Sequence, residues 1–285
     1  VERPAVALGE GGRRLGEPMR ACQAHRMSDG AAPSPGRRRR DGDVVKIHGL
    51  RATAAVLAHR PEAVVRAYVD ESARGVYGDA LRALAQRRVA YRLVAATELD
   101  RVAGARHHEG ICLLVRPRPT PDLEAWLAGC PPAALALALD GVTNPHNVGA
   151  IARSAAHFGV AGLWATTEVS PHGAAARVAE GAFEVLPTFS GARIAPVLAR
   201  LARAGFAAVG ASPDAARSVY DVALPRRTLF VLGSEQGGLS EELRGALEEV
   251  VRVPGTGAVE SLNVSVTAGV LMAEWARQRA AARRR

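Results

Sequence analysis

Lysine is nearly missing from this chain, where Lys46 stands alone among 37 basic residues. The three cysteines, Cys22, Cys112 and Cys130, fall at no metal or disulfide spacing, and their odd number argues against a closed disulfide framework. Ordinary thiols in a reducing, cytoplasmic setting are expected. No apolar run approaches the roughly 18–20 residues that a membrane span requires. Residues 1–43 are polar and Arg-rich rather than apolar, so no secretory leader is expected either.

What is present is enough for a sizeable core. The chain has 285 residues, 48% of them hydrophobic, which allows one large domain or two of ordinary size. The formal charge is +9, and it is unevenly placed. Residues 1–43 hold nine Arg against six acids, residues 44–118 hold thirteen basic residues against seven acids, and the remainder balances at fifteen against fifteen. A basic front joined to a neutral back suggests that the front meets a polyanion. Arginine suits bidentate phosphate contacts. Composition bias accounts for the Arg-to-Lys ratio but not for the asymmetry.

Four segments follow. Residues 1–43 lack periodicity, are rich in Gly, Pro and Arg, and read as a disordered basic leader. Residues 44–118 alternate strand and helix patterns, from "VVKIHGLRATAAVLAHRP" through "VVRAYVD" and "DALRALAQRRVA" to "GICLLVRP", and read as a small α/β domain. Thr97 is placed to cap one of its helices. Residues 119–134 sit in a Pro-rich stretch with one short helix over about 122–128, and read as a linker. Residues 135–285 read as a second α/β domain. It opens with "ALALALD", a run suited to a strand buried on both faces. Strands are expected at 161–165, 206–210, 229–232 and 250–253, and helices at 147–158, 174–180, 192–204, 241–249 and 263–280. The sheet should be mostly parallel.

In an open parallel sheet, ligands bind beyond the carboxyl ends of the strands, and three loops there stand out. The first, "LALDGVTNPHNVGAIARSAAHFGV", ends a strand at Asp140, places Asn147 where it could cap the next helix, and carries Gly149 and Arg153. It is neither GxGxxG nor a Walker loop, so a dinucleotide or nucleoside triphosphate has little support. The second, "LFVLGSEQGGLSEELRGAL", holds the Glu235 carboxylate inside a glycine loop before Ser240, a helix cap. The third, "PGTGAVESLNVSVT", runs two glycines into Ser261 and Asn263 at the mouth of an apolar helix. Each loop also has a plain reading, as an Asn cap with a surface Arg, as a turn, or as backbone bonding at a helix start.

Taken together, the three loops resemble the motifs of the SpoU (TrmH-like) RNA ribose methyltransferases of the SPOUT superfamily, in order, as "NPHNVGAIARSA", "LGSEQGGLS" and "VPGTGAVESLNVSV". Residues 46–116 are similar to that family's small L30e-like substrate-binding domain. The wording "HHEG" and "GTGAVESLNVSVTAGVLMAEWARQ" looks closest to a bacterial subgroup of tRNA/rRNA methyltransferases. Two positions depart from the pattern: Asn144 stands where many relatives have Asp, and Gly255 follows Pro254 where Met is common.

The resemblance implies an α/β fold whose C-terminal part is a SPOUT trefoil-knot domain, S-adenosyl-L-methionine as cofactor, and a homodimer. It implies methyl transfer to a ribose 2′-OH of RNA, with ribosomal RNA favoured over tRNA and with neither metal nor membrane involved. Leu232, Gly233, Val253 and Leu262 would line the cofactor pocket, largely through backbone groups. Arg153 would sit beside the reacting ribose, where it would bind phosphate and stabilise developing charge, since a guanidinium scarcely deprotonates. Asn147, Glu235, Ser261 and Asn263 would hold the ribose, the Arg and the loops. His146 reads as structural, and His107-His108-Glu109 lacks the further ligands a metal needs. An RNA-binding protein with a degenerate methyltransferase fold, acting in ribosome assembly, is the alternative. A base methylase is a third reading.

Overall fold

The computed structural model describes residues 44–166, 173–191, 193–234 and 237–282. The leader expected over 1–43 and the carboxylate of Glu235 lie outside the described residues.

The front of the chain builds a four-stranded sheet from β1 (Val45–His48), β2 (Val64–Asp70), β3 (Ala90–Val94) and β4 (Ile111–Val115), in the order β1-β4-β2-β3. β4 runs antiparallel to both of its neighbours, while β2 and β3 are parallel. The helices α1 (Leu50–His59), α2 (Gly78–Gln86) and α3 (Ala96–Ala103) alternate with the strands. In α2 the 3.6-residue period buries Leu81 and Leu84 and leaves Arg82 exposed. Thr97 does not cap α3; the cap position is Ala95, and Thr97 lies one residue inside the helix.

The stretch read as a linker forms α4 (Leu123–Gly129), with the Asp122 carboxylate accepting from the Ala125 amide at 2.8 Å. It does not hang free. Trp126 donates its indole N–H to the Ala161 carbonyl at 2.7 Å and packs edge-on against Trp164.

The larger sheet has seven parallel strands in the order β7-β6-β5-β10-β8-β11-β9. They are β5 (Ala134–Leu139), β6 (Gly162–Ala165), β7 (Thr188–Ser190), β8 (Ala207–Ala211), β9 (Arg217–Ser218), β10 (Arg227–Leu232) and β11 (Glu249–Arg252). In β5 the strict alternation sorts side chains by size. Leu135, Leu137 and Leu139 fill one core, whereas Ala134, Ala136 and Ala138 leave room on the other face for Trp164, Phe189 and Phe206.

The leucine face is covered by α5 (Pro145–His157) and by the last helix, α9 (Val264–Ala282), whose Ala268, Leu271 and Met272 join the same core. Between α5 and α6 (Gly173–Ala179) the backbones lie so close that a Cβ on Gly149 would sit 2.6 Å from the Ala175 carbonyl oxygen. That contact explains a glycine in a helix interior. On the other face lie α7 (Ile194–Arg203) and α8 (Glu241–Arg244). α8 is far shorter than the 241–249 expected, because β11 begins at Glu249 and the Glu248 amide already donates to the Ala208 carbonyl at 2.9 Å.

Residues 180–186, after α6, meet the small sheet's helices closely. Arg60 makes a bidentate pair with Glu184, at 2.6 and 3.1 Å. Arg118 donates to the carbonyls of Phe183 and Leu186 at 2.6 and 3.0 Å.

Candidate functional site

Parallel strands deliver their carboxyl ends to one edge of the sheet, and the three glycine-containing loops leave β5, β10 and β11 there. The Asp140 amide donates to the Leu232 carbonyl at 2.8 Å, and the Asp140 carboxylate accepts from the Ser240 amide at 3.0 Å. The first and second loops are thereby tied together. Gly141, at φ 68, makes the turn that follows and donates to the Thr166 hydroxyl at 2.8 Å.

The second loop folds back on itself. The Gly238 amide donates to the Ser234 carbonyl at 2.9 Å, and the Gly237 amide donates to the Ser234 hydroxyl at 3.0 Å. A Cβ at Gly233 would lie 2.1 Å from the carbonyl carbon and oxygen of Gly238. Only glycine permits that return. Leu232 is buried in the leucine-face core, so its side chain belongs to the scaffold. Val253 is half-buried and packs against the same core.

The third loop leads into α9. The Asn263 side-chain oxygen accepts from the amide and the hydroxyl of Ser265, at 2.9 and 2.6 Å, which caps the helix. Its side-chain nitrogen donates to the Asn147 side-chain oxygen at 3.0 Å, joining the third loop to the first. Asn147 is buried and sits inside α5, so it is no cap. The cap is Asn144, whose side chain accepts from the His146 amide at 2.9 Å ahead of Pro145. Ser261 and Leu262 are both exposed just before the helix.

Arg153 follows Asn147 by six residues, which places it about 9 Å further along α5 and about 120° round the axis. It is 56% exposed and turns to Glu180 at the end of α6, its guanidinium 3.0 Å from that carboxylate. Asn147 and Asn263 therefore meet one another, while Arg153 addresses the side facing the small sheet. Glu180 was not foreseen among the site residues. Its signal was an acid directly before a glycine, in "VAEGAFE".

The His107-His108-Glu109 stretch is a structural turn. His108 accepts from the Gly110 amide through Nδ1 at 3.0 Å and faces Asp100 through Nε2 at 3.3 Å. Glu109 accepts from the Leu50 amide at 2.6 Å, and its carbonyl accepts from the Tyr77 hydroxyl. Burial, helped by the Glu109 charge, pushes the Tyr77 phenol up to about 12. Among the described residues no group of three or more His, Cys, Asp or Glu could hold a metal ion. Nor is any described helix long and apolar enough to cross a membrane.

A cofactor with an apolar aromatic face and polar hydroxyls fits what gathers at this edge. Gly255 and Gly257 stand in open space, with nothing within 4 Å of an added Cβ, and Leu262 offers an apolar side chain that is 44% exposed.

Residues 134–273 match the model of the SpoU rRNA methylase family, and residues 46–121 match the RNA 2′-O ribose methyltransferase substrate-binding domain. A protein of Escherichia coli O157:H7 named as an uncharacterized tRNA/rRNA methyltransferase, YfiF, is 36% identical over 85% of this chain and 70% of its own length. The 23S rRNA (guanosine-2′-O-)-methyltransferase RlmB of a Burkholderia species is 35% identical over 82% of this chain and 96% of its own. The SpoU methyltransferase AviRb of Streptomyces viridochromogenes, solved with AdoMet, shares the fold at a TM-score of 0.71 and 23% identity, over 83% of this chain and 91% of that one. With its three motif loops at one sheet edge and both domains of the family matched in order, the chain belongs to the SpoU family of RNA 2′-O-ribose methyltransferases.

Proposed function

We propose that this chain methylates a ribose 2′-hydroxyl of ribosomal RNA, using S-adenosylmethionine, as a cytoplasmic homodimer. The observation that carries the reading is the joining of the three motif loops at the carboxyl ends of β5, β10 and β11 by the Asn263–Asn147 and Ser240–Asp140 hydrogen bonds. In this reading residues 44–118 bind RNA, 119–134 connect, and 135–285 carry the chemistry. Exposed Arg66, Arg82, Arg87, Arg88 and Arg92 on the small sheet's side suit a phosphate backbone, and recognition of folded RNA by shape favours ribosomal RNA. Support for a dimer comes from apolar side chains left exposed near the start of α9, with Val259 at 71%, Leu262 at 44% and Val266 at 50%.

S-adenosylmethionine, when bound, supplies an electrophilic methyl carbon. Leu232, Gly233, Val253 and Leu262 would hold it, largely through backbone groups. The chain's main task is then alignment of the ribose oxygen, which supplies much of the acceleration in a direct displacement. Arg153 binds an RNA phosphate and stabilises charge developing on the oxygen. A guanidinium is a poor base, so the 2′-hydroxyl proton passes to a phosphate oxygen of the RNA itself or to water. Asn147 and Asn263 fix the first loop against the third, and in this reading Ser261 and Glu235 help to hold the ribose.

The test uses S-adenosylmethionine labelled in the methyl group, with 23S rRNA transcribed in vitro and, in parallel, unmodified tRNA. Label in alkali-resistant dinucleotides of the ribosomal RNA is expected. Label confined to bases makes the chain a base methylase. Absence of label from both RNAs, together with no micromolar binding of the cofactor (about −8 kcal/mol), makes it a non-catalytic RNA-binding protein.

A further inference from the structure

Glu180 stands between two arginines from different parts of the molecule. One carboxylate oxygen lies 3.0 Å from Arg153 of α5, and the other lies 3.5 Å from Arg51 of α1. Its backbone is left-handed, at φ 48, a conformation shared by only two other non-glycine residues among those described, Arg88 and Glu109. Asn, Asp or Gly settles there more readily than Glu. At Glu180 this less favourable backbone coincides with a carboxylate paired to both arginines.

The surroundings hold that turn in place. Gly181 follows at φ 90, and a Cβ on it would sit 2.3 Å from the Ala55 methyl of α1. Four residues later the nearly buried Arg60–Glu184 pair clamps the same turn to the small sheet's helices, and Arg118 binds two of its carbonyls. Glu180 also lines a cleft with His48, Arg51, Glu109 and Arg177, and its side chain is 29% exposed. A flexible arginine has many rotamers, and an anchored carboxylate at one end of its fork selects among them.

We infer that Glu180 is a positioning residue: from a turn fixed against the small domain, it orients the Arg153 guanidinium toward the reacting ribose. The inference rests on the reading of Arg153 as the group that meets that ribose. Glu180 touches no substrate in this account and acts through Arg153 alone.

Four proteins test it, each assayed for methyl transfer to in vitro transcribed 23S rRNA and for S-adenosylmethionine binding. They are Glu180→Gln, Glu180→Asn, Arg153→Lys and the double variant Arg153→Lys/Glu180→Gln. Asn favours the left-handed backbone, so Glu180→Asn removes the carboxylate while easing the turn, and a folding defect cannot explain its loss. Both Glu180 variants should lower kcat about tenfold, with KM for RNA and cofactor affinity within about twofold of wild type. In the Arg153→Lys background the Glu180 change should cost nothing further, because the planar fork it orients is gone. Wild-type kcat in the Glu180 variants, alongside an impaired Arg153→Lys, overturns the positioning role and leaves the Arg153 reading intact. Independent, multiplicative losses in the double variant overturn it as well. Full activity of Arg153→Lys removes the Arg153 reading, and the inference goes with it.

Discussion

The Asn263 side chain donates to the Asn147 side-chain oxygen at 3.0 Å, across 116 residues of sequence. Two loops that leave different strands are thereby locked by one amide–amide bond, and the same Asn263 caps α9 through Ser265. A single residue thus sets both where the last helix begins and how the third loop lies on the first.

Asn263→Ala should therefore have two effects. Loss of the cap costs about 1 kcal/mol, which for a chain of this size is about 2–4 °C in Tm. Loss of the bond to buried Asn147 should also loosen the loops and lower methyl transfer by tenfold or more. Asn147→Ala should lower methyl transfer similarly without the capping cost. The double variant should lose less than the sum, with a coupling of about 1 kcal/mol. Strict additivity would mean that the bond does not hold the loops together.

Gly233→Ala should abolish cofactor binding while leaving the chain folded. The new methyl would lie 2.1 Å from the Gly238 carbonyl, and backbone there has no rotamer by which to yield. The loop must open instead. Gly75 meets nothing within 4 Å of an added Cβ, so Gly75→Ala should bind the cofactor as wild type does. Calorimetric titration with S-adenosylhomocysteine distinguishes the two. Undiminished binding by Gly233→Ala would show that the tight return is not part of the pocket.

Much of this was legible from the chain alone, for a physical reason in each case. The unbroken apolar run of β5 declares a strand buried on both faces, and α5, α6, α7 and α9 fall within one or two residues of the expected spans. Misplacements occurred where two local signals competed. Asn144 and Asn147 both precede the apolar period of α5, and Pro145, which favours the first helical position, decides for Asn144. Thr97 looked like a cap, but α3 starts one residue before it. The Pro-rich stretch gave no sign that Trp126 would reach across to Ala161, because a half-buried indole is fixed by tertiary contacts. Glu180 showed only as an acid before a glycine, and its meaning depends on Arg51 and Arg153, 129 and 27 residues away by sequence number.

Arg60→Ala should destabilise the junction between the two sheets. The pair it makes with Glu184 is bidentate, with side chains only 15% and 8% exposed, and removal of the cation leaves a largely buried carboxylate with only the Arg118 charge near it. Such breaks typically cost about 3–5 kcal/mol. Glu184→Gln in the same background should recover part of the loss, because the uncompensated charge is gone. Hydrogen exchange at residues 180–186 locates the effect. Unchanged protection there in Arg60→Ala would mean that the turn is held by its other contacts.

His48 gives the chain an acid-side weakness that can be isolated. Burial lowers its pKa below the ordinary 6.5, and the Arg177 and His108 charges push the same way, against a backbone hydrogen bond to His107 and the Glu109 carboxylate. Its Nδ1 is buried and without a hydrogen-bond partner, so the folded state holds the ring neutral. The unfolded chain then takes up the proton more readily than the folded one. Stability accordingly falls as pH drops from 6.5 toward the lowered folded value, and it is regained as pH rises through that window. His48→Gln removes the titration. Its Tm should lie below that of wild type by a margin that shrinks by about 1–3 °C between pH 7.5 and pH 5.5. Acidic groups titrate mainly below this range and are common to both proteins, so they cancel in the comparison. A constant Tm difference across the window would mean that His48 takes up its proton equally well in the folded and unfolded chain.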